Sequence, residues 1–344
     1  VYGRGRPRAA LAAAALLACA RPEPPIAAAD DCPVLVRDGQ LRMGTVLEIS
    51  LCAPDRARGE ALVAQSFARV AELERVFSTF DPASETSRLN ESSGRGPQRV
   101  SPPLARLVAD SLSLSRLTRG SFDVTVGPLV TLWSAAGRAD RLPSAGELAA
   151  ARARVGFELV RADADAGTVE LRVAGAALDF GGVAKGWTLD RLCESLRAAG
   201  VTRALLSFGG SSLAALGAAP GEERWGIGLR DPAGGLAGAV GLRDRSLSVS
   251  ESLGQSVSIG GRRYGHVIDP RTGAPLERAQ LAAVLAPDGA TAEALSKALL
   301  ILGERDGIAL LDALPERCGI LIDESGRSWT SRGWNDAAHW VPRE

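Results

Sequence analysis

The chain has 344 residues, 46% of them hydrophobic and 23% charged, so it can bury a sizeable core as one large or two modest domains. Forty Lys and Arg balance forty Asp and Glu, which leaves no global field to recruit nucleic acid or an acidic surface. Nucleic acid is therefore not an expected partner, and any anion must be bound locally.

Arg4, Arg6 and Arg8 precede an apolar run at residues 9–18 that is too short to span a bilayer, and Leu16-Leu17-Ala18-Cys19 has the form of a lipobox. Residues 1–18 are expected to be a signal peptide, and residues 19–40 a lipidated cysteine and tether extended by Pro22, Pro24 and Pro25. The folded domain then occupies residues 41–344. The expected location is the bacterial cell envelope, on the periplasmic side, with lipid as the sole membrane attachment. A cleaved signal with an incidental cysteine is the alternative. Export makes the other cysteines oxidisable, and none of Cys32, Cys52, Cys193 and Cys318 lies in a CxxC or Cys/His cluster, which argues against zinc. Cys32 and Cys52 can bridge if two early strands lie side by side. Cys193 and Cys318, set in apolar patterns, are expected as buried thiols.

Residues 43–51 alternate as a strand, and residues 61–77 put Leu62, Phe67, Val70, Leu73 and Phe77 on one helical face. After Phe80-Asp81-Pro82, residues 84–96 read as a long polar loop, a kind of segment that often carries function. A helix is expected from Ser101, with its hydroxyl as cap and Pro102 and Pro103 in the first turn. In residues 120–133, GSFDVTVGPLVTLW, Asp123 sits in a short β-like run that Gly127-Pro128 breaks. Ser144 suits the N-cap of a short helix, and residues 169–178 supply strand material.

Residues 178–190, LDFGGVAKGWTLD, pack an acid, a glycine pair and a lysine into a strand–loop–helix corner. Gly181 and Gly182 let backbone approach a ligand, and a helix opening near Lys185 favours an anion, although neither a Walker A nor a GxGxxG spacing is present. Strands follow at 204–210, 225–230, 247–250 and 281–286, with helices at 291–302 and 308–314 and a strand at 319–322. His266 is expected at the end of a strand before the turn Asp269-Pro270-Arg271-Thr272-Gly273. With His339 the only other histidine, there is no histidine cluster for a metal.

Taken in order, Met43-Gly44-Thr45, the Phe80-Asp81-Pro82 loop, residues 121–133, residues 179–190, Gly209-Gly210, residues 248–250, GHVIDPRTGAP and the helix at 290–302 resemble the FAD:protein FMN transferase (ApbE) family. The resemblance covers residues from about 42 to about 322. It implies an α+β, ApbE-type (T-fold-like) domain of mixed sheets flanked by helices. It further implies an enzyme that uses FAD and Mg²⁺ to attach FMN through a phosphoester to Thr or Ser of an acceptor protein, releasing AMP. An FAD-binding protein without transfer chemistry, and an FAD pyrophosphate hydrolase giving FMN and AMP, are the alternatives.

By matching positions, the resemblance implies Met43, Phe80, Ser121, Phe122, Asp123, Asp179, Lys185 and Val267 as flavin-nucleotide contacts. Asp179 is suited to adenosine hydroxyls or amine, Lys185 to phosphate, and His266 to general base. The metal would fall to the Gly182 carbonyl and Glu293. The chain departs from the family at this point: Glu293 and Lys297 stand where an Asp and a Thr are usual, and a protonated lysine cannot ligate a metal. Ser211-Ser212 and Val249-Ser250-Glu251 also differ from the usual residues.

Overall fold

A computed structural model describes residues 32–343; the expected signal peptide, Cys19 and most of the expected tether lie outside the described residues. The chain opens with the hairpin β1 (Val34–Arg42) and β2 (Thr45–Ala53), paired from Val34 opposite Ala53 to Arg42 opposite Thr45. The fold thus starts inside the 19–40 stretch expected to be tether, because Val34 and Val36 have an apolar surface to pack on. Cys32 and Cys52 form a disulfide across this hairpin, and Cys193 and Cys318 are buried free thiols.

Helix α1 (Arg56–Phe77) is capped by the Asp55 side chain and buries Leu62, Phe67, Val70, Leu73 and Phe77. Where a polar loop is expected, the chain forms α2 (Glu85–Glu91), with Ser84 accepting the Ser87 N–H as its cap. Strand β3 (Gln98–Arg99) then leads into α3 (Pro102–Leu117). Ser101 does not cap α3 through its side chain; its hydroxyl and its N–H both go to Glu85 of α2, so tertiary contact redirects the expected cap.

The expected β-like run around Asp123 is a turn leading directly to α4 (Gly127–Ala139). Helix α5 (Ala145–Arg152) starts with a full capping box, Ser144 bonding Glu147 reciprocally. Strands β4 (Val160–Asp163) and β5 (Thr168–Leu171) join β3 in a small antiparallel sheet. No strand delivers Asp179, since β5 ends at Leu171.

Helix α6 (Ala184–Ala198) is followed by β6 (Ala204–Phe208), β7 (Ser212–Leu216), β8 (Trp225–Arg230), β9 (Leu236–Leu242) and β10 (Ser246–Glu251). The hairpin β11 (Ser256–Ile259) and β12 (Arg262–Gly265) precedes His266, which lies just past β12 rather than within it. Strand β13 (Gln280–Ala286) leads to α7 (Gly289–Asp312), in which the two expected helices run together across a kink at Gly303, φ 75°. The chain finishes with β14 (Cys318–Asp323), β15 (Ser328–Thr330), α8 (Trp334–Ala338) and β16 (Val341–Pro342).

The architecture is α+β. Its main sheet has the order β1-β2-β6-β7-β10-β13-β14-β15, and β16-β9-β8 form a separate sheet. Every pairing among these named strands is antiparallel. One core, with Leu47, Ile49, Phe67, Leu192 and Leu206, fills the space between the sheet, α1 and α6. Another, with Val284, Leu295, Leu299 and Leu321, seats α7 on the same sheet. Because α6 and α7 are both held against it, their first turns are fixed relative to the β6–β7 turn. Among the described residues no helix is long and apolar enough to cross a membrane.

Candidate active site

The site is built on a crossing of two helices at glycine. A Cβ on Gly186 of α6 would collide with the Gly289 carbonyl at the start of α7, so only glycine permits this approach. Asp190, one turn along α6, locks it by accepting the N–H groups of Gly289 (2.6 Å) and Ala290 (3.0 Å). Burial pushes the Asp190 carboxyl up to about 7. Sequence reasoning missed this role; the signal was an acid one turn past a helical glycine.

Two carboxylates expected to contact flavin behave differently. Asp123 is buried, and both of its oxygens are in use: Oδ1 accepts the Thr125 N–H (2.9 Å) and hydroxyl (2.7 Å), and Oδ2 accepts the Phe157 N–H (2.8 Å). Burial raises its pKa. Asp123 is thereby a clamp that shapes the loop. Ser121 is likewise buried, with its hydroxyl donated to the Thr118 carbonyl at 2.8 Å. Phe122 belongs to the core, and its ring backs the glycine loop: a Cβ on Gly182 would stand 3.3 Å from it.

Asp179, by contrast, is half-buried and uses one oxygen, Oδ1, to accept the Gly181 N–H at 2.8 Å. Its backbone is pinned by the bond from its N–H to the Val124 carbonyl, 2.7 Å. Burial raises its pKa too. Oδ2 is thus left to accept from a ligand donor.

Lys185, in the first turn of α6, reaches the Ser211 hydroxyl at 3.1 Å, beyond the end of β6. Ser212 donates its hydroxyl to Oε1 of Glu293 on α7. Glu293 is fully buried, and its Oε2 has no hydrogen-bond partner. Behind it, the Ser296 hydroxyl donates to the Glu293 carbonyl at 2.9 Å and meets the hydroxyls of Ser248 (3.0 Å) and Ser250 (2.8 Å) on β10. These serines join α7 to the sheet through a buried polar seam that single-residue reading of the sequence does not reveal.

Lys297, one turn after Glu293, is half-buried, and its Cε would lie 3.8 Å from a Cβ placed on Gly182. Burial lowers its pKa and the Lys185 charge adds to that, while Glu293 opposes both. His266 sits within the field of both lysines. Desolvation lowers its pKa, the bond to Gln255 counteracts this, and the charges of Lys297 and Lys185 lower it further. Its Nδ1 lies 2.8 Å from the Gln255 carbonyl, which can only accept, and 3.4 Å from the Gln255 N–H; the shorter contact assigns the proton to Nδ1 and leaves a lone pair on Nε2.

Met43, at φ 47° in the β1–β2 turn, donates its N–H to Glu74 (2.8 Å) and its sulfur accepts from the Thr188 hydroxyl (3.9 Å). Phe80 is 96% exposed and free to cover a planar ligand. Val267 is buried in the core that seats α7, so it fixes the chain next to His266.

The expected magnesium site does not fit a divalent ion. Magnesium wants near-octahedral oxygen ligands, whereas the turn after Glu293 brings the Lys297 side chain against the glycine loop, its Cε 3.8 Å from where a Gly182 Cβ would stand, and an ammonium cannot ligate a metal. Among the described residues no group of three His, Cys, Asp or Glu could hold a metal.

The ApbE family model matches residues 43–322 of this chain. The FAD:protein FMN transferase of Klebsiella pneumoniae (strain 342) is 30% identical, over 93% of this chain and 90% of its own length. That of Treponema pallidum (strain Nichols) is 30% identical, over 86% of each chain. Among solved structures, the Pseudomonas stutzeri flavinyl transferase ApbE superposes with TM-score 0.79 at 27% identity, covering 89% of this chain and 97% of that one. The Vibrio cholerae flavin transferase ApbE gives 0.78 at 27% identity, covering 88% and 99%. With a match across most of the chain, and that match containing the glycine loop, both lysines and His266, this protein belongs to the ApbE family.

Proposed function

We propose that this protein uses FAD to attach FMN, through a phosphoester, to a Thr or Ser hydroxyl of an acceptor protein, with release of AMP. The observation that carries the reading is an exposed imidazole, His266, held through Nδ1 at the Gln255 carbonyl with Nε2 free, in a chain whose relatives are named FAD:protein FMN transferases. Pyrophosphate needs positive charge beside it, and the acceptor hydroxyl needs a base. Lys185 and Lys297 supply the first, and His266 Nε2 the second. The acceptor oxygen bonds to the FMN phosphorus as the bridging P–O bond breaks. AMP leaves with that electron pair, and the hydroxyl proton passes to Nε2. Asp179 Oδ2 accepts from the adenosine, Phe80 covers a ring and Met43 lines the nucleotide, while Val267, buried under α7, holds the chain beside His266.

The test is incubation with FAD and an acceptor, read by in-gel flavin fluorescence and by AMP. His266→Ala should reduce transfer by about a thousandfold while FAD binding persists. Undiminished transfer would remove the base assignment, and FAD recovered intact from the wild type would make the protein a binder.

Export and lipid anchoring at Cys19 belong to the same reading. They are supported by the lipobox and by the Cys32–Cys52 disulfide, a bond that persists in oxidising compartments. Cys19→Ser should shift the protein out of the membrane fraction; unchanged fractionation counts against the anchor.

A further inference from the structure

The residues at the expected magnesium site fit that ion poorly, and the same atoms suit a cation carried by the chain itself. Glu293 is fully buried, with one oxygen taken by Ser212 and the other without a partner. A buried carboxylate oxygen with no donor is costly and favours positive charge nearby. Lys297 follows one helical turn later, so the two project from the same side of α7. Its stem runs against Gly182, the loop residue whose carbonyl is the other expected ligand. Glu293 and Lys297 do not close into a direct ion pair among the pairs within 4.0 Å of the described residues, which leaves the ammonium available to a ligand.

Charge balance points the same way. A dinucleotide pyrophosphate carries two ionised oxygens. The ammonium groups of Lys185 and Lys297 face those two charges, with the Glu293 carboxylate as a further negative group, and a fixed ammonium repels a divalent ion brought beside it.

We propose that the Lys297 ammonium is the resident cation of this site, standing where a divalent metal would otherwise neutralise the pyrophosphate, so that FAD is held without magnesium. This inference rests on the flavin reading above.

The test is titration calorimetry of FAD, and separately of Mg²⁺ alone, into wild type, Lys297→Thr and Lys297→Met, in EDTA and in magnesium buffer. Wild-type affinity for FAD should agree within about twofold between the two buffers, and Mg²⁺ alone should show no saturable binding. Both variants should lose about tenfold in FAD affinity in EDTA, and Lys297→Thr, which restores an oxygen, should recover on adding magnesium. Lys297→Met keeps an apolar stem, so a loss shared by both variants separates charge from packing. Wild-type binding of Mg²⁺ without flavin, or wild-type FAD binding that needs magnesium, overturns the inference and leaves the flavin reading standing. Equal FAD affinity of all three proteins in EDTA also overturns it. A wild type that binds no FAD in either buffer overturns the flavin reading itself, and this inference with it.

Discussion

The turn from Thr118 to Thr125 and the loop from Asp179 to Lys185 touch each other, and their sequences raise the same expectation of flavin contact. In the first, the buried polar side chains are already spent on the protein: Thr118, Ser121, Asp123 and Thr125 bond one another or nearby backbone. In the second, the backbone is pinned through the Asp179 N–H while one Asp179 oxygen stays open. A residue whose hydrogen-bonding capacity is exhausted internally shapes a site, and one with spare capacity can meet a ligand. Position near the site does not distinguish the two roles; the bonding pattern does.

That contrast can be broken by mutation. Asp123→Ala strands the buried Thr125 N–H and the half-buried Phe157 N–H and should cost about 3 kcal/mol, read as a large fall in thermal midpoint. A midpoint close to wild type, with FAD binding lost, would make Asp123 a ligand contact after all. Asp179→Asn should do the reverse: stability within about 0.5 kcal/mol of wild type but FAD affinity weaker by about tenfold, seen in flavin fluorescence titration. Unchanged affinity would remove Asp179 from the site.

The smallest effect sharpens the electrostatic side of the comparison. The pKa of His266 is lowered first by burial and then by the charges of Lys297 and Lys185, so the neutral base persists to lower pH than a free imidazole. The acid limb of transfer should therefore lie below about 6.5. In Lys297→Thr it should move upward, because one opposing charge is gone. A pH–rate profile of both proteins measures this, and coincident acid limbs would mean that Lys297 does not act on His266.

Much of the local structure was legible in the sequence because it depends on neighbours a few residues apart. Strand β8 runs from Trp225 to Arg230 as its alternation predicts, and the Ser144 cap and the helix after Lys185 are where their residues indicate. The glycine loop and the His266 turn entered the candidate site through their order along the chain and the family resemblance, since each taken alone reads as an ordinary turn. Helix α2 escaped because its polar residues carry no apolar periodicity, and it forms with Ser84 as cap and Glu85 bonded to Ser101. Only the tertiary structure decided which polar groups would be satisfied. Glu293 finds Ser212 across 81 residues, Asp190 reaches Gly289 across 99, and Asp123 holds Phe157 across 34. Such bonds depend on which surfaces the sheet and its helices bring together. The cost of a buried polar atom depends on partners that no local pattern encodes, so the split between clamp and open ligand atom became visible only in the folded chain.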